Sequence, residues 1–197
     1  MLFRSGIAPG VDVTSLADLR GRRIAYSPGQ AQGVLVLRVL RAAGLTQDDV
    51  ELVELASTGD VYPTALASGE VDVAPIGGVQ IRRYLTNYGA EGARTLPHGL
   101  RDDPSHLYAP ESVLADPAKA AAIREYVQFW ARATIWVYEH PQEWIERYYV
   151  QDQGLTVEDG QWLVDAAGQP DIPPSWDDVI ARHQETVDLL AAETGNE

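Results

Sequence analysis

The chain has 197 residues, 45% of them hydrophobic, enough for one large domain or two small ones around a real core. Its 29 acidic against 15 basic residues give a formal net charge of -14. That balance argues against nucleic acid, whose binding rests on Lys and Arg neutralising phosphates, and against a membrane-surface helix. The absence of cysteine excludes disulfides, thiolate metal sites and a cysteine nucleophile. No apolar run approaches the ~20 residues that span a bilayer, and Met1-Leu-Phe-Arg-Ser-Gly lacks the apolar core of a signal peptide.

In chain order, three units share one pattern, a short β-rich run leading into a helical segment: Arg23 to Leu45, Val50 to Gly69, and Val71 to Gly89. Alternation of this kind predicts a parallel sheet in an α/β fold. In the first unit the strand Ile24-Ala25-Tyr26 ends at Ser27-Pro28-Gly29. The backbone N–H groups of the following helix then point into whatever cleft lies above, a cradle for a phosphate, sulfonate or carboxylate. Neither G-x-G-x-x-G nor a P-loop Lys-Ser/Thr is present, and on loop chemistry alone the segment reads first as an ordinary strand-to-helix turn. Val34, Leu35, Leu37, Val39, Leu40 and Ala43 give that helix its apolar spacing, and Gly44 stops it.

In the second unit Val50 to Ala56 is a mixed strand, Thr58-Gly59-Asp60 offers N-cap chemistry, and Gly69 ends a short helix over Tyr62 to Ser68. In the third, Val71 to Ile76 is a strand with Pro75 expected at its end, and Gly77-Gly78 lets a helix begin close to a neighbour or ligand. A further strand is predicted at Ala93 to Leu96. After the polar stretch Pro97 to Ser105 and a short strand around Leu107-Tyr-Ala109, the rest of the chain reads as helix. Asp116-Pro117 is an N-cap followed by an N1 proline, opening a long helix to about Glu139. Its apolar face comprises Ile123, Val127, Trp130, Ala131, Thr134 and Val137. His140-Pro141 breaks it, Gln142 to Val150 forms another segment, Thr156 with Asp159 starts a third, and Pro170 to Pro174 is a spacer. The last helix, Trp176 to about Glu193, carries Val179, Ile180, His183, Val187 and Leu190 at helical spacing. These helices have almost no sheet of their own to cover.

The pieces and their order resemble the solute-binding proteins of ABC transporters, in the branch for aliphatic sulfonates, taurine and nitrate. Leu16-Ala-Asp-Leu-Arg-Gly-Arg-Arg-Ile-Ala is similar to that family's entry into its second lobe. Leu40-Arg-Ala-Ala-Gly-Leu-Thr with Asp48-Asp-Val-Glu, and Ala65-Leu-Ala-Ser-Gly-Glu-Val-Asp72, are similar to the next two steps. The Leu107-Tyr-Ala strand, the helix after Asp116-Pro117 and the tail from Asp171-Ile-Pro-Pro to Leu190 resemble its return to the first lobe.

The resemblance implies a type II periplasmic-binding-protein architecture: a crossing segment over 1–16, an α/β lobe over 17–104, and a crossing strand with helices of the other lobe over 105–197. It also implies that the family's N-terminal half-lobe and secretion signal lie before Met1, with Met1-Leu-Phe-Arg4 the end of a crossing strand and the chain a truncated form.

On that resemblance the function is delivery of a small anionic or zwitterionic solute, a sulfonate or related oxyanion, to an ABC permease, in an extracytoplasmic, lipid-anchored setting. No cofactor, metal or nucleic acid is expected, and a homodimer is one way to shield the uncovered helix faces. Ligand contacts are expected from loops at the carboxyl ends of the strands: Gly29, Gln30, Ala31, Gln32 and Gly33; Ser57 and Thr58; Gly77, Gly78 and Gln80. Tyr108 on the crossing strand is expected to wall the ligand's carbon end. Arg82 and Arg83 read as a solvated helix face, and Trp130 and Trp136 as core.

His98, His106, His140 and His183 show no zinc-binding spacing; His140 reads as a helix terminus and His183 as partly buried. The acidic pairs Asp48-Asp49, Asp102-Asp103 and Asp177-Asp178 sit at turns or helix starts, where capping accounts for them. The alternative from another class is an enzyme on the same fold. A desulfinase needs a cysteine nucleophile that is absent, and a thiamine-pyrimidine synthase needs a histidine and iron-binding residues that the sequence does not place.

Overall fold

The structure, a computed structural model, describes residues 3–100, 107–170 and 172–195. Five strands form one sheet: β1 (Phe3–Ile7), β2 (Arg23–Tyr26), β3 (Glu51–Glu54), β4 (Val73–Gly77) and β5 (Arg94–Leu96), in spatial order β3-β2-β4-β1-β5. The helices are α1 (Ala31–Ala42), α2 (Val61–Ala67), α3 (Val79–Tyr88), α4 (Glu111–Leu114), α5 (Pro117–Glu139), α6 (Pro141–Trp144), α7 (Val157–Ala167) and α8 (Asp177–Thr194), with a π-helix over Ile145–Asp152. Two compact units result, one from residues within 1–103 and 176–197 and one from residues within 104–175. Asp102-Asp103, His106 and part of the Pro97–Ser105 stretch lie outside the described residues.

In the first unit β2 runs parallel to β3 and β4, as the alternating pattern predicts. Phe3–Ile7 lies between β4 and β5, antiparallel to both, a pairing that the sequence reading does not assign. Ser5 and Gly6 interrupt its apolar pattern, which hides it in the sequence. A Cβ at Gly6 would lie 2.7 Å from Leu66 Cδ1 and 2.8 Å from Ile76 Cδ1, so the glycine is what lets α2 close over this face. Pro75 is also displaced from expectation, standing inside β4 opposite Ser5. The β2–β4 pairing is confined to Ile24 and Val73, so no parallel ladder bond is lost at the proline.

α1 packs on the other face, where Leu35, Leu37 and Leu40 join Ile7, Leu19, Ile24 and Val73 in the core. Gly44 and Gly69, at φ 68° and 72°, end α1 and α2 as read. Arg23 ties the starts of β2 and β4: its Nη2 donates to Asp72 Oδ1 at 2.6 Å and its backbone N–H to Oδ2 at 2.9 Å.

α8 belongs to this unit, whereas the sequence reading grouped 105–197 together. Leu189 enters the core, Arg38 Nη2 of α1 donates to Thr186 Oγ1 at 2.6 Å, and Gln47 Nε2 donates to the Glu193 carbonyl at 3.0 Å. These polar contacts rotate the docked face. Thr186 and Leu189 are buried while Ile180, Val187 and His183 are exposed, contrary to the apolar spacing.

In the second unit α5 starts as predicted, with Asp116 Oδ1 accepting from the N–H groups of Ala118 at 3.0 Å and Lys119 at 3.3 Å. It ends at His140, whose ring stacks on Trp136 at 4.9 Å. Its predicted apolar face is not buried: no residue of α5 is, and Trp130 and Trp136 are 37% and 36% exposed. The small core of this unit is made instead by Ile145 of the π-helix with Leu155 and Leu163, where Gly160 admits Ile145 to a distance no Cβ tolerates. Thr156 Oγ1 caps α7 by accepting from the Asp159 N–H at 3.1 Å. Leu107-Tyr-Ala109 carries no strand; Pro110 and the start of α4 follow at once.

Candidate functional site

β2, β3 and β4 run the same way, so the loops leaving their carboxyl ends open α1, α2 and α3 at one end of the sheet. The starts of three helices therefore gather there, the place where open α/β sheets take ligands. At the exit of β2, Gly29 takes φ 68° and the Gln30 N–H donates to the Ser27 carbonyl at 3.3 Å. A Cβ at Gly33 would stand 2.0 Å from that same carbonyl oxygen. Gly33 is thus buried packing that seats the first turn of α1 on the end of β2, rather than an open lining residue.

The three loops are tied to one another. Ser57 Oγ donates to Gln30 Oε1, and Gln80 Nε2 donates to the Gly59 carbonyl. With its oxygen engaged, the Gln30 amide retains its N–H donors. Gly78, at φ 49°, turns the chain from β4 into α3, directly after the buried Gly77. Ala31 and Thr58 are exposed and Gln32 is half-buried. The structure thus brings together Gln30, Ser57 and Gln80 with the loops that hold Gly29, Ala31, Gln32, Thr58, Gly77 and Gly78. Tyr108 belongs to the second unit, where it is 90% exposed and outside any strand.

Two further residues stand at this end. Arg83, which the sequence offers as an anion partner but reads first as a solvated face, is half-buried like Arg82, and its Nη1 lies 3.9 Å from Asp60 Oδ2 at the head of α2. The placement of α3 beside α2 creates that pair, and helical spacing alone does not reveal it. Tyr62, in the first turn of α2, is 2% exposed. Burial pushes its pKa up, partly opposed by the Ser27 hydroxyl beside it. A tyrosine in the first turn of a helix that opens at the ligand end of a sheet was the available signal. Among the described residues no group of three or more His, Cys, Asp or Glu is placed to hold a metal ion, and no helix is long and apolar enough to cross a membrane.

Known structures with this fold include the alkanesulfonate-binding protein SsuA from Xanthomonas axonopodis pv. citri bound to MOPS, at a TM-score of 0.76 and 21% identity over 98% of this chain. The periplasmic aliphatic sulphonate binding protein SsuA from Escherichia coli matches at 0.72 and 23% over 96%. The chain spans 64% and 63% of the length of those two proteins. The desulfurization enzyme DSZB is also similar, at 0.58 and 19% over 98% of this chain and 69% of its own. No curated protein matches the sequence. These likenesses establish the type II binding-protein fold, and the NMT1/THI5-like family model matches residues 6–144, well over half of the chain, so the protein belongs to the NMT1/THI5-like family.

Proposed function

We propose that the first unit is the ligand-holding lobe of a solute-binding protein that takes the anionic head of a small sulfonate or related oxyanion and passes it to an ABC import permease outside the cytoplasm. The observation that carries this reading is the joining of the β2, β3 and β4 exit loops through Ser57–Gln30 and Gln80–Gly59, which holds three helix starts around one position. Amides in the first turn of α1 and the Gln30 Nε2 donors supply hydrogen bonds to an anion, and Arg83 adds positive charge that Asp60 partly offsets. These are donors without a nucleophile and base arranged for chemistry, so the reading is binding without turnover. The two sulfonate-binding relatives share the fold and lend the solute class its chemical plausibility.

A thermal-shift and calorimetric series with ethanesulfonate, longer alkanesulfonates, taurine, sulfate, nitrate and a thiamine-pyrimidine precursor tests it. At least one sulfonate is expected to raise the melting temperature saturably, the gain approaching about 2.7 kcal/mol at a hundredfold excess over Kd. The sulfonate should be recovered unchanged by NMR. Gln30→Ala is expected to weaken binding by about tenfold, the loss of one charge-assisted hydrogen bond. A melting temperature that no anion moves, or turnover of the solute, overturns the reading.

A further inference from the structure

We propose that α5 is a self-association helix, pairing antiparallel with α5 of a second copy of this chain through a heptad seam of Ala122, Tyr126, Phe129, Ala133 and Trp136. Those positions alternate spacings of four and three, the period by which two helices keep one face toward each other. The seam lies in the open. Tyr126 and Phe129 are 56% and 63% exposed, the highest values among the large apolar side chains of α5. Ala122 and Trp136 are exposed too, and Ala133 is half-buried. Within its unit α5 packs chiefly against its chain neighbours α4 and α6, and none of its 23 residues is buried. Most of a helix's stability comes from covering an amphipathic face, and a run of exposed aromatics, unlike scattered single residues, marks an interface.

The charges beside the seam select a second copy as its occupant. Glu125 and Arg132 directly precede Tyr126 and Ala133, so they hold the same flanking position one heptad apart, with opposite sign. Both are exposed, and among the described residues neither forms an ion pair within the chain. In an antiparallel pair this flank meets itself. Glu125 then faces the second copy's Arg132, and Arg132 the second copy's Glu125, two identical ion pairs about one two-fold axis, the self-complementary pattern of a C2 interface. A parallel pair sets this flank against the other, which carries Ile123, Trp130 and Val137, and leaves both charges unmatched. The antiparallel register also orders the layers by size. Tyr126 lies on the second copy's Phe129 at the centre, and Ala122 on its Ala133 to either side, where small residues let the helices close around the rings.

Sedimentation equilibrium of the full chain reads the association, with circular dichroism as the check on folding. The wild-type chain is expected to form a concentration-dependent dimer, and Phe129→Glu to be a monomer of unchanged helix content. Glu125→Arg should weaken the dimer at least about tenfold by turning both ion pairs into like-charge contacts, and Glu125→Arg with Arg132→Glu in one chain should restore it, because the swap rebuilds both pairs. The chain has no cysteine, so introduced thiols report orientation cleanly. Ala122→Cys and Ala133→Cys in one chain stand about 16 Å apart along the helix, too far to bridge within it, and oxidation should yield a covalent dimer. Ala122→Cys alone should stay uncrosslinked. Four results overturn the proposal: a wild-type chain still monomeric at about 0.1 mM; wild-type affinity in Phe129→Glu, which places the interface elsewhere; a double charge swap that fails to restore the dimer; or crosslinking by Ala122→Cys alone, the mark of a parallel pair. None of these outcomes depends on what the cleft binds.

Discussion

His98 follows β5 and is half-buried against a small cavity whose other walls include Leu19, Leu35 and Val39. Its Nδ1 accepts from the Leu100 N–H at 3.1 Å, which leaves the ring proton on Nε2, buried and without a partner. Burial lowers its pKa below 6.5, so the folded chain resists the proton that the unfolded chain accepts. Stability is therefore expected to fall as pH drops through about 6.5 toward the lowered folded value, and His98→Gln should flatten melting-temperature curves in that window. Asp18 works in the same direction from a different cause, hydrogen bonds that favour its charged form. Its Oδ2 accepts from the backbone N–H groups of Thr14 at 3.0 Å and Ser15 at 2.8 Å, and these bonds bring its pKa down from 3.8 to about 2. Its contribution is present above 3.8 and lost as pH falls through about 2. Asp18→Asn is expected to melt lower at neutral pH, with the gap closing only in that acid range; a constant gap would refute the assignment.

At the scale of elements, two packing claims can be tested separately. Gly33→Ala drives a methyl into the Ser27 carbonyl, backbone that cannot swing aside as a side chain would, so α1 must shift off β2. A loss of about 3 kcal/mol in denaturant unfolding is expected, and a loss below about 1 would mean the helix start relocates easily. Leu189→Ala should cost about 2 to 4 kcal/mol if α8 is part of the first unit's core, and almost nothing if its docking rests on Arg38 and Gln47 alone. The elements legible in the sequence were those that announce themselves locally: Gly44 and Gly69 at helix ends, Asp116-Pro117 at a helix start, the alternating units that give β2, β3 and β4. Those it hid depend on partners far along the chain. β1 needs β4 and β5 to be a strand, Pro75 is tolerated because the β2–β4 pairing is so short, and the face α8 buries is chosen by side chains of α1 and its neighbour Gln47. The cleft divides in the same way. Which loops form it follows from strand ends, but the ties between them and the burial of Tyr62 come only from tertiary contact.

For the whole molecule, a formal charge of -14 sets a long-range field that repels the anion proposed for the cleft. On the proposed reading, attraction is then short-ranged, from amide dipoles, Gln30 and the Arg83–Asp60 pair. The two contributions respond differently to salt. The Debye length shrinks from about 30 Å at 0.01 M to about 8 Å at 0.15 M, which removes most of the repulsion summed over the surface while screening contact hydrogen bonds much less. Raising ionic strength therefore relieves the unfavourable field more than it weakens the local attraction, a small net gain. Ethanesulfonate affinity measured by calorimetry is expected to change by less than about threefold across that range. A protein that gathered its anion by a positive surface would instead lose affinity steeply and lose association rate with it. A tenfold or greater weakening would place the attracting charge outside these loops, on basic residues that the local account of the cleft leaves aside.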